Sequence, residues 1–297
     1  MFKRIIVPLD GTPFSEAALA PASALARAFD ASVVLVRAVA TRDPTHTALD
    51  RADRYLHDVI ARLHAERLVS GIDIYAASPS VSIASAAELE HADVIVMTVH
   101  PRWMVDLLDD TSTTVQVLAQ SDVPILIWRA SESVAERHES ARDPLVPLLG
   151  RTECPIIVPL DGTAGAETAI PVAEALVRRF GSYLVLASAI EEISPTLPTA
   201  APAVESPYEY LQRVQRKVQH HGVGVIIAVH RGRPEQAIDQ IWREYDASLV
   251  VMASRRRDCG GTGLLDSVAV RMIEELTIPM LVVRSSPDAP VTTSPHN

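Results

Sequence analysis

The chain has 297 residues, is 48% apolar but only 4% aromatic, and carries a formal net charge of −10. That length predicts about two domains, and the acidic balance argues against duplex nucleic acid or an anionic membrane as a partner. No run approaches the ~20 apolar residues of a membrane span, and the first apolar run ends at Asp10, too short for a signal peptide; a soluble, cytoplasmic protein is expected.

In chain order, short apolar runs predict strands at residues 4–9, 32–39, 72–76, 93–98 and 124–128. Amphipathic segments between them predict helices at 13–29, 50–69, 80–91 and 111–121. Thr12 is placed to cap the first helix, with Pro13 at a position where a missing N–H costs nothing. The second helix shows an apolar stripe, Leu49, Ala52, Leu56, Val59, Ile60 and Leu63, at three- and four-residue steps. Residues 131–151 begin charged and end in Pro147-Leu148-Leu149-Gly150, which reads as an interdomain linker. Strands then follow at 155–160, 183–190, 223–229, 248–253 and 279–284, and Pro79 and Pro234 stand alike before the two third helices. The Ser-, Pro- and Thr-rich end is expected to be disordered. The expected domains are 1–130 and 152–286, with the linker at 131–151 and the tail at 287–297. Apolar strands alternating with helices imply right-handed βαβ units and a parallel sheet covered on both faces.

The two halves are copies of one another. Ile5-Ile6-Val7-Pro8-Leu9-Asp10-Gly11-Thr12 recurs as Ile156-Ile157-Val158-Pro159-Leu160-Asp161-Gly162-Thr163, a separation of 151 residues from Asp10 to Asp161. Glu16 matches Glu167 at that spacing, and later Tyr55-Leu56 matches Tyr210-Leu211 at a spacing of 155. The second copy therefore carries a net insertion of 4 residues, placed between about 190 and 208. That window holds Pro195, Pro198, Pro202 and Pro207, and is expected to be a loop or hinge. The two cysteines, Cys154 and Cys259, occupy non-equivalent places, which favours a reduced compartment over a disulfide framework.

In an open α/β sheet, ligands bind at the carboxyl ends of the strands where the strand order reverses. Asp10-Gly11-Thr12 and Asp161-Gly162-Thr163 leave strand one beside any such crevice, and Met97-Thr98-Val99-His100 and Met252-Ala253-Ser254-Arg255 leave strand four. A tight turn with a capping threonine explains the same residues without a ligand, and the sequence leaves both readings open.

The strand-one string followed by Ser15-Glu16-Ala17-Ala18, and Ala92-Asp93-Val94-Ile95-Val96-Met97 leading to Pro124-Ile125-Leu126-Ile127, resemble the universal stress protein A family. Copy two answers with Gly232-Arg233-Pro234-Glu235-Gln236-Ala237-Ile238, Val250-Val251-Met252 and Pro279-Met280-Leu281-Val282-Val283. The resemblance implies two doubly wound parallel five-stranded sheets of order 3-2-1-4-5, of the adenine nucleotide alpha-hydrolase-like type, one per repeat. It also implies an intrachain pseudo-dimer joined through the last strands, 124–128 and 279–284. A homodimer and further protein partners remain open.

Some members of that family bind ATP, and the resemblance maps their site here. Adenine and ribose would lie near Pro8, Asp10 and Ala38, or near Pro159, Asp161 and Ala189. Phosphates would lie on a loop of pattern G-x2-G-x9-G-[ST], where glycines let backbone N–H groups approach the oxygens. The glycine places hold Thr98, Pro101 and Thr111 in copy one and Ala253, Arg256 and Asp266 in copy two, leaving only Ser112 and Ser267. Pro101 offers no N–H, and Asp109, Asp110 and Asp266 add negative charge. At ~4 Å and an effective dielectric near 20, one such carboxylate costs about 4 kcal/mol against phosphate, roughly three decades of affinity. Copy two alone offers a substitute, Arg255-Arg256-Arg257 before Cys259-Gly260-Gly261-Thr262-Gly263, because arginine forks suit phosphate; a solvated basic loop is the competing reading.

His220-His221 is expected at a helix C-terminus, where positive charge is favoured, without the companions a metal needs. His100 is expected in a loop, Trp103 and Met104 either fill the empty phosphate place or form a contact patch, and no nucleophile elbow, P-loop or Cys-x-x-Cys string occurs. The expected function is a non-catalytic stress-response protein with degenerate nucleotide sites, acting as an interaction or regulatory module. The alternative is an ATP- or other adenine-nucleotide-binding switch that uses the second repeat.

Overall fold

A computed structural model describes residues 1–39, 46–63, 68–99, 113–128, 154–190, 206–254, 268–276 and 278–285. The linker, most of the insertion, the tail, the loops after strand four and Cys259 lie outside the described residues. The chain divides into two compact units, Met1–Gly150 with Ile278–Leu281, and Arg151–Thr277 with Val282–Asn297.

The first unit runs β1 (Arg4–Pro8), α1 (Pro13–Glu16), α2 (Leu19–Phe29), β2 (Ser32–Ala38), α3 (His46–Leu63), β3 (Val69–Tyr75), α4 (Pro79–Leu89), β4 (Val94–Thr98), α5 (Thr113–Gln120) and β5 (Ile125–Trp128). Its strand order is β3-β2-β1-β4-β5, with every pairing parallel. The second repeat runs β6 (Ile156–Pro159), α6 (Ala164–Glu167), α7 (Ile170–Phe180), β7 (Leu184–Ile190), α8 (Pro207–His220), β8 (Val225–Arg231), α9 (Pro234–Tyr245), β9 (Leu249–Ser254), α10 (Val268–Glu275) and β10 (Met280–Arg284). Its order is β8-β7-β6-β9-β10. Each repeat thus has the expected 3-2-1-4-5 order, and in each the strand order reverses at the first strand. That reversal places the carboxyl ends of β1 and β6 at the crevice where such folds take ligands.

Strands buried on both faces need unbroken apolar runs rather than alternation. Ile5, Ile6, Val7, Ile95 and Val96 in one unit, and Ile157, Val158, Val185, Val250 and Val251 in the other, are completely buried. From the stripe of the second helix, Ala52, Leu56 and Val59 are buried.

Five local expectations are corrected. The single helix expected over 13–29 is two, α1 and α2, and α6 and α7 repeat the break. Proline has no N–H for the carbonyl four residues earlier and crowds it; Pro21 stands four after Ala17 and Pro171 four after Glu167, at the two breaks. The second helix begins at His46 rather than 50, and β3 begins at Val69, inside the expected helical segment. Pairing with β2, Val33↔Val69 and Val34↔Gly71 across a register irregularity, extends the strand through Ser70 and Gly71 despite their turn chemistry. β8 reaches Arg231, two residues beyond the apolar run, because Ala189↔His230 and Ile190↔Arg231 complete the ladder with β7. Pro207 and Tyr208, expected in a loop, open α8: Ser206 and Glu209 form a reciprocal capping box, and Pro207 follows the cap.

Candidate nucleotide site at the strand-one turns

Each first strand delivers an identical turn to the carboxyl edge. The Thr12 N–H donates to Asp10 Oδ1 at 2.9 Å and its hydroxyl donates to the same oxygen at 2.6 Å. In copy two the Thr163 N–H and hydroxyl donate to Asp161 Oδ1 at 2.9 and 2.6 Å. The glycine between them sits at φ +84° (Gly11) or +86° (Gly162), a left-handed conformation that a Cβ penalises. Thr12 Oγ1 then accepts from the Ser15 N–H at 3.1 Å, and Thr163 Oγ1 from the Ala166 N–H at 3.2 Å, capping α1 and α6 as expected. Local turn chemistry therefore accounts for the retention of Asp, Gly and Thr in both copies.

Pro8 and Pro159 end β1 and β6, and Ala38 and Ala189 lie at the ends of β2 and β7; all four are half-buried beside these turns. The structure thus gathers Pro8, Asp10 and Ala38 at one strand edge and Pro159, Asp161 and Ala189 at the other. Ser112, Arg256 and Ser267 lie outside the described residues, as do Arg255, Arg257, His100, Trp103 and Met104. Of the six glycine places only Thr98 and Ala253 are described, and the Thr98 hydroxyl donates to the Phe14 carbonyl at 3.1 Å, tying β4 to α1.

Around the turns stand residues that the sequence reading did not select. In copy one, Arg37 at the end of β2 donates from Nη1 to the Leu9 carbonyl at 3.1 Å and lies 5.4 Å from the Tyr55 ring centroid, within cation–π range. The Tyr55 hydroxyl donates to Glu16 Oε1 at 3.0 Å, and Arg62 bridges Glu16 at 2.9 Å. Burial first, and then the Glu16 carboxylate, push the Tyr55 phenol upward. In copy two, Glu167 takes Lys217 at 3.6 Å and Arg213 at 3.9 Å, and Arg213 lies 5.1 Å from the Tyr210 ring. Burial first, and then the charge of Glu167, raise Tyr210 likewise. The signal that could have found this cluster was already in the repeat: Glu16/Glu167 and Tyr55/Tyr210 were matched polar pairs in a mostly apolar register.

Burial alone would raise the Asp10 carboxyl, but hydrogen bonding by Thr12 and Ser15 and the charge of Arg37 outweigh it and hold the group below its ordinary value of 3.8. A depressed folded pKa contributes stability that is complete above the unfolded value and is lost as pH falls through the folded one. Asp10→Asn keeps the Oδ1 acceptor and removes the titration. Its unfolding temperature should therefore fall less steeply than that of the wild type below about pH 4; parallel acid limbs would refute this.

The two glycines supply a second test. Gly162→Ala should cost about 1–2 kcal/mol, the general penalty for a Cβ in the left-handed region. Gly11→Ala should cost more, because its Cβ would meet Arg37 Nη1 at 3.0 Å, whereas among the described residues nothing lies within 4 Å of one on Gly162. Denaturant unfolding of both variants, with Gly11→Ala repeated in an Arg37→Ser background, should show the excess disappearing with the arginine.

His220 ends α8 and His221 caps it, as expected. His221 Nδ1 meets Glu174 Oε1 from α7 at 2.8 Å, a carboxylate companion that the sequence did not reveal. Among the described residues no group of three or more His, Cys, Asp and Glu is arranged to hold a metal. No described helix is long and apolar enough to cross a membrane.

The sequence model of the Universal stress protein family matches residues 1–129 and again residues 155–284. A universal stress protein of Synechocystis sp. is 28% identical over 131 residues, 43% of this chain and 83% of that protein. The crystal structure of a universal stress protein from Archaeoglobus fulgidus aligns with a TM-score of 0.73 at 19% identity, over 96% of this chain and 97% of its own. One from Pseudomonas aeruginosa aligns with a TM-score of 0.64 at 17% identity, over 96% and 94%. At such identities the structures establish the fold. The two family matches, one in each half, establish the rest: the chain belongs to the universal stress protein family and carries two of its domains in tandem.

Proposed function

We propose that this protein is a non-catalytic stress-response module whose two repeats have degenerate nucleotide sites and act through partners. The observation that carries the reading is the commitment of Asp10 and Asp161 to their own turns through identical hydrogen bonds. Their retention then needs no ligand. The replaced glycine places, with Pro101 lacking an N–H and Asp109, Asp110 and Asp266 adding charge, support it further. An intrachain pair of repeats, joined through 124–128 and 279–284 as the family resemblance implies, and a cytoplasmic setting belong to the same proposal.

The test is to purify the protein, denature it, and identify released small molecules by mass spectrometry, beside thermal shifts with ATP, ADP and AMP. The expected result is no stoichiometric nucleotide and no shift at millimolar concentrations, since a ligand at 100 times its Kd adds about 2.7 kcal/mol. Stoichiometric nucleotide, lost in Asp161→Ala or Arg256→Ala, would overturn the reading.

One observation favours a second reading, an adenine-nucleotide switch in copy two. Among the described residues, none fills the space beside Gly162, whereas Arg37 fills that beside Gly11. Pro159, Asp161 and Ala189 would then face the nucleoside, and the resemblance assigns the phosphates to Arg256 and Ser267.

A further inference from the structure

The two repeats carry the same turn but not the same surroundings, and the difference lies in one residue. Arg37 stands at the end of β2; 151 residues on, at the matching place in β7, stands Ser188. Arg37 donates to the Leu9 carbonyl at 3.1 Å, lies over Tyr55 and comes within 3.0 Å of where a Gly11 Cβ would be. Its charge also acts on Asp10. A carbonyl acceptor, an aromatic face and a carboxylate are the groups that a planar donor-bearing ligand would use; in copy one a guanidinium already hydrogen-bonds the first and lies over the second.

Copy two keeps Leu160, Tyr210 and Asp161 but draws its cation from the helix instead of the strand. Arg213 lies over Tyr210 from α8, at the place where α3 has Asp58. Among the described residues, no atom outside the immediate chain neighbours stands within 4 Å of a Cβ built on Gly162. Among the described residues, the same fold therefore presents one turn covered by a strand-borne guanidinium and one without such a cover.

We propose that Arg37 is an internal occupant that closes the first repeat to nucleosides, and that Ser188 leaves the second repeat open, so that one side chain decides which half can take a ligand. The inference rests on the nucleotide reading of copy two and adds to it a residue that selects between the repeats. It concerns the nucleoside end alone, because the phosphate loops differ for reasons of their own. Arg37 Nε is buried without a hydrogen-bond partner, so the arginine is imperfectly satisfied and its removal should be tolerated by the fold.

The test uses the full chain labelled with 15N at its 12 glycines, titrated with adenosine, which has no phosphate. On the nucleotide reading of copy two, the Gly162 amide of the wild type should shift and the Gly11 amide should not. In Arg37→Ser both should shift, while glycines far from the turns keep their wild-type positions and so report an intact fold. In Ser188→Arg the Gly162 response should weaken at least about tenfold, as expected for a site that loses 1.4 kcal/mol or more. Arg37→Gln, which keeps a polar side chain too short to span the turn, repeats the first variant should Arg37→Ser unfold. Gly11 and Gly162 shifting alike in the wild type would overturn the inference. So would Gly11 staying still in both Arg37 variants while Gly162 moves, or Ser188→Arg responding like the wild type. If Gly162 itself does not move in the wild type, the nucleotide reading fails and takes the inference with it.

Discussion

Leu126→Asp and Leu281→Asp should each abolish recovery of folded protein. Leu126 on β5 and Leu281 on β10 are 3% and 2% exposed, and Leu126 pairs with Val96 inside the first sheet. An aspartate there forfeits about 1.5–3 kcal/mol of apolar burial. It also buries a polar group without a partner, at roughly 2–7 kcal/mol even when protonation removes its charge. The sum is comparable to the whole stability of an ordinary domain, about 5–15 kcal/mol. Leu126→Met, close in volume, should cost less than about 1.5 kcal/mol and serves as the control. Circular dichroism and size-exclusion profiles decide the matter: a Leu126→Asp protein that stays soluble with unchanged unfolding temperature would refute the placement of these strands in the core.

Arg271→Ala should destabilise copy two by about 3 kcal/mol, toward the lower end of the range for breaking a buried ion pair. The Glu235 side chain, in the first turn of α9, is only 1% exposed. Arg233 Nε approaches it at 2.9 Å and Arg271 Nε, from α10, at 3.4 Å. Arg233 is itself 58% exposed and shared with Glu275, so it compensates poorly once Arg271 is gone. The positive end of α9 softens the loss. The damage should shrink by more than half in a Glu235→Gln background, where no charge is left buried. A double-mutant cycle in urea measures this, and equal losses in both backgrounds would show that Arg271 acts by packing alone. At the matching places copy one has Ser80 and Gln116, so this ion pair belongs to the second repeat.

Elements recurring at fixed spacing were legible because their information is local. An apolar run such as Ile5-Ile6-Val7 states its burial by composition, and Asp10-Gly11-Thr12 states its turn by side-chain reach and the need for positive φ. Boundaries were less legible. The break between α1 and α2 follows from Pro21, yet the apolar pattern runs through it. The start of β3 at Val69 depends on pairing with Val33, a partner that no window of sequence contains. The candidate site divided the same way. Pro8, Asp10, Ala38 and their counterparts could be placed at strand ends, but Glu16, Tyr55 and Arg62 meet only after α3 docks beside α1.

The doubled octapeptide and its spacing were determined by the sequence by itself, and with them the family and the duplication. Whether the surroundings of the two turns are alike was decided only by the tertiary structure. Arg37 and Gly11 are 26 residues apart, and whether a guanidinium covers a turn depends on how a strand end and a docked helix converge on it. Periodicity encodes which face of an element is buried; it does not encode what a long, flexible side chain reaches from the end of that element.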